Sequence, residues 1–188
     1  MFSARFFALF FILASFGIVS SVPSSAAVVQ ERQGITDIEL VLNTLTSSTN
    51  NILPQITSLG QSGSASEANV TPLINELTAA LNTASSSLAS LKASDHKVRR
   101  ESDADISFVV AGLVTDITHA LDSILADASH IPTLGPLLSG VDVALDEVLA
   151  GVEILLAGVL TLVASLLVNV AKLLNELSFG LTLASLGL

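Results

Sequence analysis

Large aliphatic residues recur along this chain at alternating steps of three and four, the period of an amphipathic helix rather than of a strand. Over 35–59, Ile35, Ile38, Leu42, Leu45, Ile52, Ile56 and Leu59 fall on one helical face, with Thr49 filling the one missing step. Pro54 lies inside that pattern without changing its phase, so the spacing predicts either a kinked helix or two short helices meeting near Leu53. The Gly, Ser and Gln residues between Gly60 and Ala68 read as a loop. Thr71-Pro72, a capping residue followed by proline at the first helical position, predicts a second helix running through Leu73, Leu77, Leu81, Ala84, Leu88 and Leu91. Two such helices joined by a short loop predict an antiparallel hairpin over 28–91.

The stretch 92–105 changes character, with Lys92, Asp95, His96, Lys97, Arg99, Arg100, Glu101, Asp103 and Asp105 and almost no large apolar side chain. It reads as an exposed linker. A third helix is expected over 105–129, with Ile106, Val110, Leu113, Ile117, Leu121 and Ile124 on one side, before His130 to Pro136 breaks it. From about Pro136 to Ser178 the pattern predicts one long helix. Its stripe is Leu145, Leu149, Val152, Leu156, Val159, Val163, Leu166, Val170, Leu173 and Leu177, and its opposite side holds Asp146, Ala150, Glu153, Ala157, Ala164 and Lys172, so polarity there is sparse. The expectation is an all-α bundle of about four amphipathic helices, with the apolar half at 106–188; the two halves pack either separately or as one bundle.

Ile, Leu, Val and Phe number 20 in the 78 residues from Val28 to Asp105 but 39 in the 83 residues from Ile106 to Leu188, so the halves are not equivalent. Between Glu153 and Lys172 lie 18 uncharged residues, Ile154 to Ala171, at the lower edge of membrane-spanning length. A buried or self-associating helix, a membrane span and a helix lying on an apolar surface all fit that run.

Composition narrows the setting. Arg5, then the apolar run Phe6 to Val19, then Ser25-Ala26-Ala27 have the order of a secretory signal peptide, residues 1–27, rather than of an anchor. Cleavage after Ala27 would leave a secreted chain with a formal charge of −11, which repels nucleic acid and anionic headgroups. Only Phe108 and Phe179 would remain as aromatics, too few for a stacking platform. The chain has no cysteine, so order must come from apolar burial rather than from disulfides.

No catalytic residue, cofactor or metal site is expected. The chain has His96, His119 and His130 as its only histidines, and no G-x-S-x-G, H-E-x-x-H or P-loop motif. Asp116, His119 and Asp122 share a helical face, as the polar side of an amphipathic helix must. Glu101, Asp103 and Asp105 lack the glycine and terminal Glu of a calcium loop and suit a helix N-terminus. Asn69-Val70-Thr71 makes Asn69 a candidate N-glycosylation acceptor, with Pro72 disfavouring occupancy. Ser and Thr supply 20 of the 78 residues from Val28 to Asp105, a substrate for O-linked sugars or simply a helix surface. Arg99-Arg100 is a candidate dibasic processing site in a linker that otherwise stays intact.

A signal peptide, a polar Ser/Thr-rich first half, a charged middle, a very apolar second half and no cysteine together give a layout that resembles the cysteine-free secreted proteins of mushroom-forming fungi acting beside hydrophobins. More loosely, Ile35-Thr36-Asp37-Ile38 with its following heptads is similar to the start of the fungal hydrophobic surface binding protein A family. The resemblance implies a non-enzymatic extracellular role in the cell wall or matrix: coating hyphae, assisting aerial growth or attaching to hydrophobic surfaces. The stripe Leu145 to Leu177 is then the expected adsorption or self-assembly face. Alternatives are a module that holds a lipid or recruits a hydrolase, and a single-pass membrane protein using Ile154 to Ala171.

Overall fold

The computed structural model describes residues 25–91 and 100–188, with side chains described over 37–91 and 103–188. The expected signal peptide lies outside the described residues apart from its last three, as does 92–99 of the charged stretch. Among the described residues all regular structure is helical: α1 (Ser25–Gln61), α2 (Glu67–Leu91), α3 (Arg100–Asp122), a 3-10 turn (Leu125–His130), α4 (Leu134–Leu155), α5 (Val159–Leu167), α6 (Ala171–Glu176) and α7 (Gly180–Leu186).

Helix α1 runs through Pro54 as a single element, with Ile52, Leu53 and Ile56 buried on both sides of it. The proline ring is exposed, and side chains bond carbonyls on either side: Asn51 Nδ2 to Ser47 O at 3.0 Å and Thr57 Oγ1 to Leu53 O at 3.0 Å. Weak helix formers are used throughout α1 and α2, and their hydroxyls turn back onto the helix that carries them. Thr44, Ser47, Thr78, Thr83 and Ser87 each donate to the carbonyl four residues earlier, at 2.8 to 2.9 Å.

Helix α2 starts at Glu67, four residues before the expected Thr71. Ser66 N donates to Asn69 Oδ1 at 2.8 Å while Val70 N donates to Ser66 O at 2.9 Å, so Ser66 is the cap and Asn69 closes the reciprocal capping bond. Pro72 therefore becomes the sixth residue of the helix. Helix α3 likewise starts early, so Arg100 to Asp105 belongs to a helix and not to the linker. Asp103 and Asp105 in its opening turns favour that start by opposing the positive end of the helix dipole. The expected helix over 105–129 ends at Asp122 and gives way to the 3-10 turn.

The single helix expected over 136–178 does not form; the segment is divided into α4, α5 and α6. At the first break Gly158 takes a left-handed φ of 93°. The Glu153 carboxylate bends forward to accept Gly158 N at 2.7 Å and Leu160 N at 3.1 Å, satisfying donors that a continuous helix would have bonded internally. Val168 to Val170 form a second turn, and Ser178 at φ 62° a third. Tertiary burial overrides local periodicity here. As one helix, residues 134–176 would extend about 65 Å, far beyond the roughly 37 Å of α2, and would leave part of the stripe without a partner.

The helices close into a ring. Helix α1 packs on α2 and α3, α2 on α4, α4 on α7, α7 on α5 and α6, and α5 on α3. Buried side chains from Ile38 to Leu186 form one contiguous core, to which both halves contribute. Two glycines permit close approach. A Cβ at Gly60 would lie 2.3 Å from Ser123 O, and one at Gly151 would lie 3.2 Å from Leu88 Cβ where α2 crosses α4.

Candidate apolar interface

The stripe foreseen as an adsorption face is largely the inner wall of the bundle. Leu145, Leu149, Val152, Leu156, Val159, Val163, Val170 and Leu177 are buried, Leu173 is half-buried and Leu166 is exposed. Helices α2 and α7 lie against α4, while α3 and α7 lie against α5. Folding thus places these side chains against each other, and at about 1.5 to 3 kcal/mol each they dominate what holds the C-terminal half together.

What remains outside is still unusually apolar. Among the described residues, the exposed large hydrophobics are Leu40 in α1 and nine others, all beyond Ile106. These include Phe108 and Val109 on α3, Ile154 at the end of α4, and Leu162, Leu166 and Val168 on α5 and its following turn. Helices α3 and α5 are direct neighbours. The outer side of α5 adds Thr161, Ser165 and Asn169 and no charge, and Ser165 Oγ turns back to Leu162 O at 2.6 Å. Phe108, the one described aromatic ring at the surface, is 62% exposed.

The acids of α4 are anchors, a role that the sequence did not reveal. Asp142, itself buried, accepts Leu181 N at 3.1 Å, Thr182 N at 3.0 Å and Thr182 Oγ1 at 2.7 Å, so it caps α7 from 39 and 40 residues away. Asp146 accepts Ser185 Oγ on the same helix. Glu147 accepts Ser85 Oγ of α2 at 3.3 Å, and Glu153 caps α5 as above. Periodicity could mark Asp146 and Glu153 as breaks in the apolar pattern; only the fold shows what they bond.

Among the described residues, two of the surface grooves lie beside α1. One of about 260 Å³ lies between α1 and α2, walled by Leu40, Val41, Leu45, Ala80 and Ala84. The hydroxyls on its rim, Thr44, Ser48, Thr83 and Ser87, donate to their own helix, so they present no free donor to an occupant. The second, between α1 and α3, is lined in part by Asp116 and His119 beside Pro54 and Gln61. Among the described residues no group of three or more His, Asp or Glu could hold a metal.

The remaining sequence candidates fall as follows. Asn69 is half-buried in the first turn of α2, and its Nδ2, the atom a glycan would occupy, donates to Ser64 O at 2.9 Å. Arg99 lies outside the described residues and Arg100 is the first residue of α3. Ile154 to Ala171, considered as a membrane span, is not one helix, because the Leu156–Gly158 and Val168–Val170 turns interrupt it. One described helical stretch, Asp103–Asp122, is long and apolar enough to cross a membrane, with a mean hydropathy of 1.4, and 56% of that window is buried in the bundle.

Fold and surface together define a class: a cysteine-free, all-helical bundle whose apolar excess is concentrated in one half. No family model matches the chain. Fruiting body differentiation protein 16 of Flammulina velutipes is 45% identical over 86 residues, which cover 45% of this chain and 67% of that protein. The chain belongs to the family of that fruiting-body differentiation protein, in keeping with the resemblance to proteins of mushroom-forming fungi.

Proposed function

We propose that the chain is a secreted, non-enzymatic structural protein of the fungal cell wall or extracellular matrix, acting in fruiting-body differentiation by coating or attaching to hydrophobic surfaces. Its partners are then apolar surfaces, wall or matrix components, and further copies of itself, with no nucleic acid and no cofactor. The observation that carries this reading is the distribution of exposed apolar side chains. Among the described residues, nine of the ten large ones lie beyond Ile106, around a run from Ile154 to Ala171 with no charge to repel an apolar surface. The acidic, hydroxyl-rich α1 and α2 keep the other side hydrated. A few large aliphatic side chains suffice for firm adsorption, since each contributes about 1.5 to 3 kcal/mol when it leaves water. The test is wettability: a hydrophobic sheet coated with the purified protein should show a contact angle lowered by tens of degrees that survives washing. An unchanged angle would overturn the proposal.

The groove between α1 and α2 favours a second reading, a lipid-holding module. Its walls are apolar, its rim hydroxyls are bonded to their own helices, and no charged residue lines it, a chemistry suited to an alkyl chain. Native mass spectrometry separates the two readings, because a carrier copurifies with a stoichiometric lipid and a coating protein does not.

A further inference from the structure

The stripe from Leu145 to Leu177 advances in steps of 4, 3, 4, 3, 4, 3, 4, 3 and 4. In the folded chain that succession crosses two interruptions, Leu156–Gly158 and Val168–Val170. A turn of three residues re-aims the axis of the helix after it, so helices on either side of it need no common register to bury their own faces. The register is nonetheless kept through both turns. Gly158 points the same way. No atom lies within 4 Å of where its Cβ would be, so packing does not require glycine there; only the left-handed φ of 93° does.

The segment beyond the first turn is held to α4 by hydrogen bonds to three carboxylates. Glu153 holds Gly158 N and Leu160 N, Asp142 holds Leu181 N, Thr182 N and Thr182 Oγ1, and Asp146 holds Ser185 Oγ. Each donor is a backbone N–H or a hydroxyl that water or helix continuation would satisfy equally. This polar clasp accompanies apolar contacts of α7 with α4 and of α5 with α3, and an apolar surface could replace those contacts in kind.

We infer that residues 156–188 form a hinged flap, closed in solution by apolar packing on α3 and α4 together with the Glu153, Asp142 and Asp146 bonds, and opening at Leu156–Gly158. On opening, α4, α5 and α6 join into one helix of about 65 Å that presents the whole stripe on one face. The inference rests on the surface-active reading only for what opens the flap, an apolar interface. The two therefore fail separately.

The absence of cysteine makes a direct lock available. In the double variant Asp146→Cys/Ser185→Cys, the two positions are those whose side chains already touch. A continuous helix would place residues 146 and 176 about 45 Å apart, whereas the nine residues from 176 to 185 reach at most about 32 Å, so the disulfide forbids the open form. The oxidised variant should adsorb to hydrophobic beads at least tenfold less than the same protein after reduction, which lacks the Asp146–Ser185 bond and should adsorb at least as strongly as the unaltered chain. In solution, amides of α5 to α7 should exchange hydrogen through one shared opening at least tenfold more frequent than that of Leu81 and Leu88 in α2, and oxidation should suppress it. Gly158→Ala, which favours helical φ at the hinge, should increase both adsorption and exchange. Equal adsorption of oxidised and reduced forms, or α5 to α7 amides exchanging only with α2, would overturn the flap. A chain that adsorbs in no form yet shows the shared, lock-sensitive opening would keep the flap and remove the surface-active reading.

Discussion

The hairpin of α1 and α2 and the segment from α3 onward meet the same burial requirement with different compositions. In the hairpin, aliphatic residues are just numerous enough for one face, so two long helices lie together with many of their Ser and Thr hydroxyls turned back onto their own carbonyls. Beyond Ile106 aliphatic residues nearly double in frequency, more than one face of one helix can cover. That segment breaks into short helices which wrap onto α3 and α4, and it still leaves Phe108, Ile154 and Val168 outside. Excess apolarity therefore shortens helices and spills onto the surface; apolar burial supplies most of the cohesion, and a few carboxylates cap and join the pieces.

The strongest way to break this comparison is to remove the largest buried side chain of the C-terminal half. Phe179 is fully buried at the start of α7. If the short helices form a packed unit, Phe179→Ala should cost about 3 to 5 kcal/mol. Urea unfolding would report it as a lower midpoint at unchanged slope. A cost no larger than that of a surface change would mean that α6 and α7 rest on the bundle without being packed into it.

A smaller effect tests the carboxylate clasp. Asp142→Ala leaves Leu181 N, Thr182 N and the Thr182 hydroxyl without their acceptor, which should cost about 1 to 3 kcal/mol. The loss should be local: amide protection falls in α7 and stays unchanged in α2. Uniform loss across the chain would show that Asp142 supports the whole bundle rather than its terminal segment.

Much of this arrangement is legible in the sequence, and the parts that are not share a cause. The buried face of α1 from Ile38 to Ile56, that of α2 from Leu77 to Leu88 and that of α3 from Ile106 to Leu121 follow from spacing alone, since each helix has one apolar side that faces its partners. The start of α2 was displaced because Asn69 caps through Ser66 more effectively than Thr71 announces a helix. The breaks after Leu155 and Leu167 are hidden because the apolar period continues across them; only Gly158 hints at the first, and glycine alone is tolerated inside helices. Asp142 escaped notice because its partners are some 40 residues away, a distance over which pattern carries no information.

The smallest effect on stability carries the sharpest contrast in function. Leu40 in α1 and Val168 after α5 are each 64% exposed, so the two halves offer a pair of apolar side chains matched in accessibility. Replacing either by serine should alter stability by no more than about 0.5 kcal/mol, as expected for surface positions that support no buried contact. Their consequences should diverge. Val168→Ser should reduce retention on hydrophobic beads severalfold, because it puts a hydroxyl into the uncharged run that the proposed function sets against an apolar surface, and Leu40→Ser should leave retention unchanged. Leu40 walls the groove between α1 and α2, so the same substitution should instead weaken any alkyl-chain binding there. If Leu40→Ser lowers retention as much as Val168→Ser does, adsorption is a property of total exposed hydrophobicity, and the division of labour between the polar hairpin and the apolar half disappears.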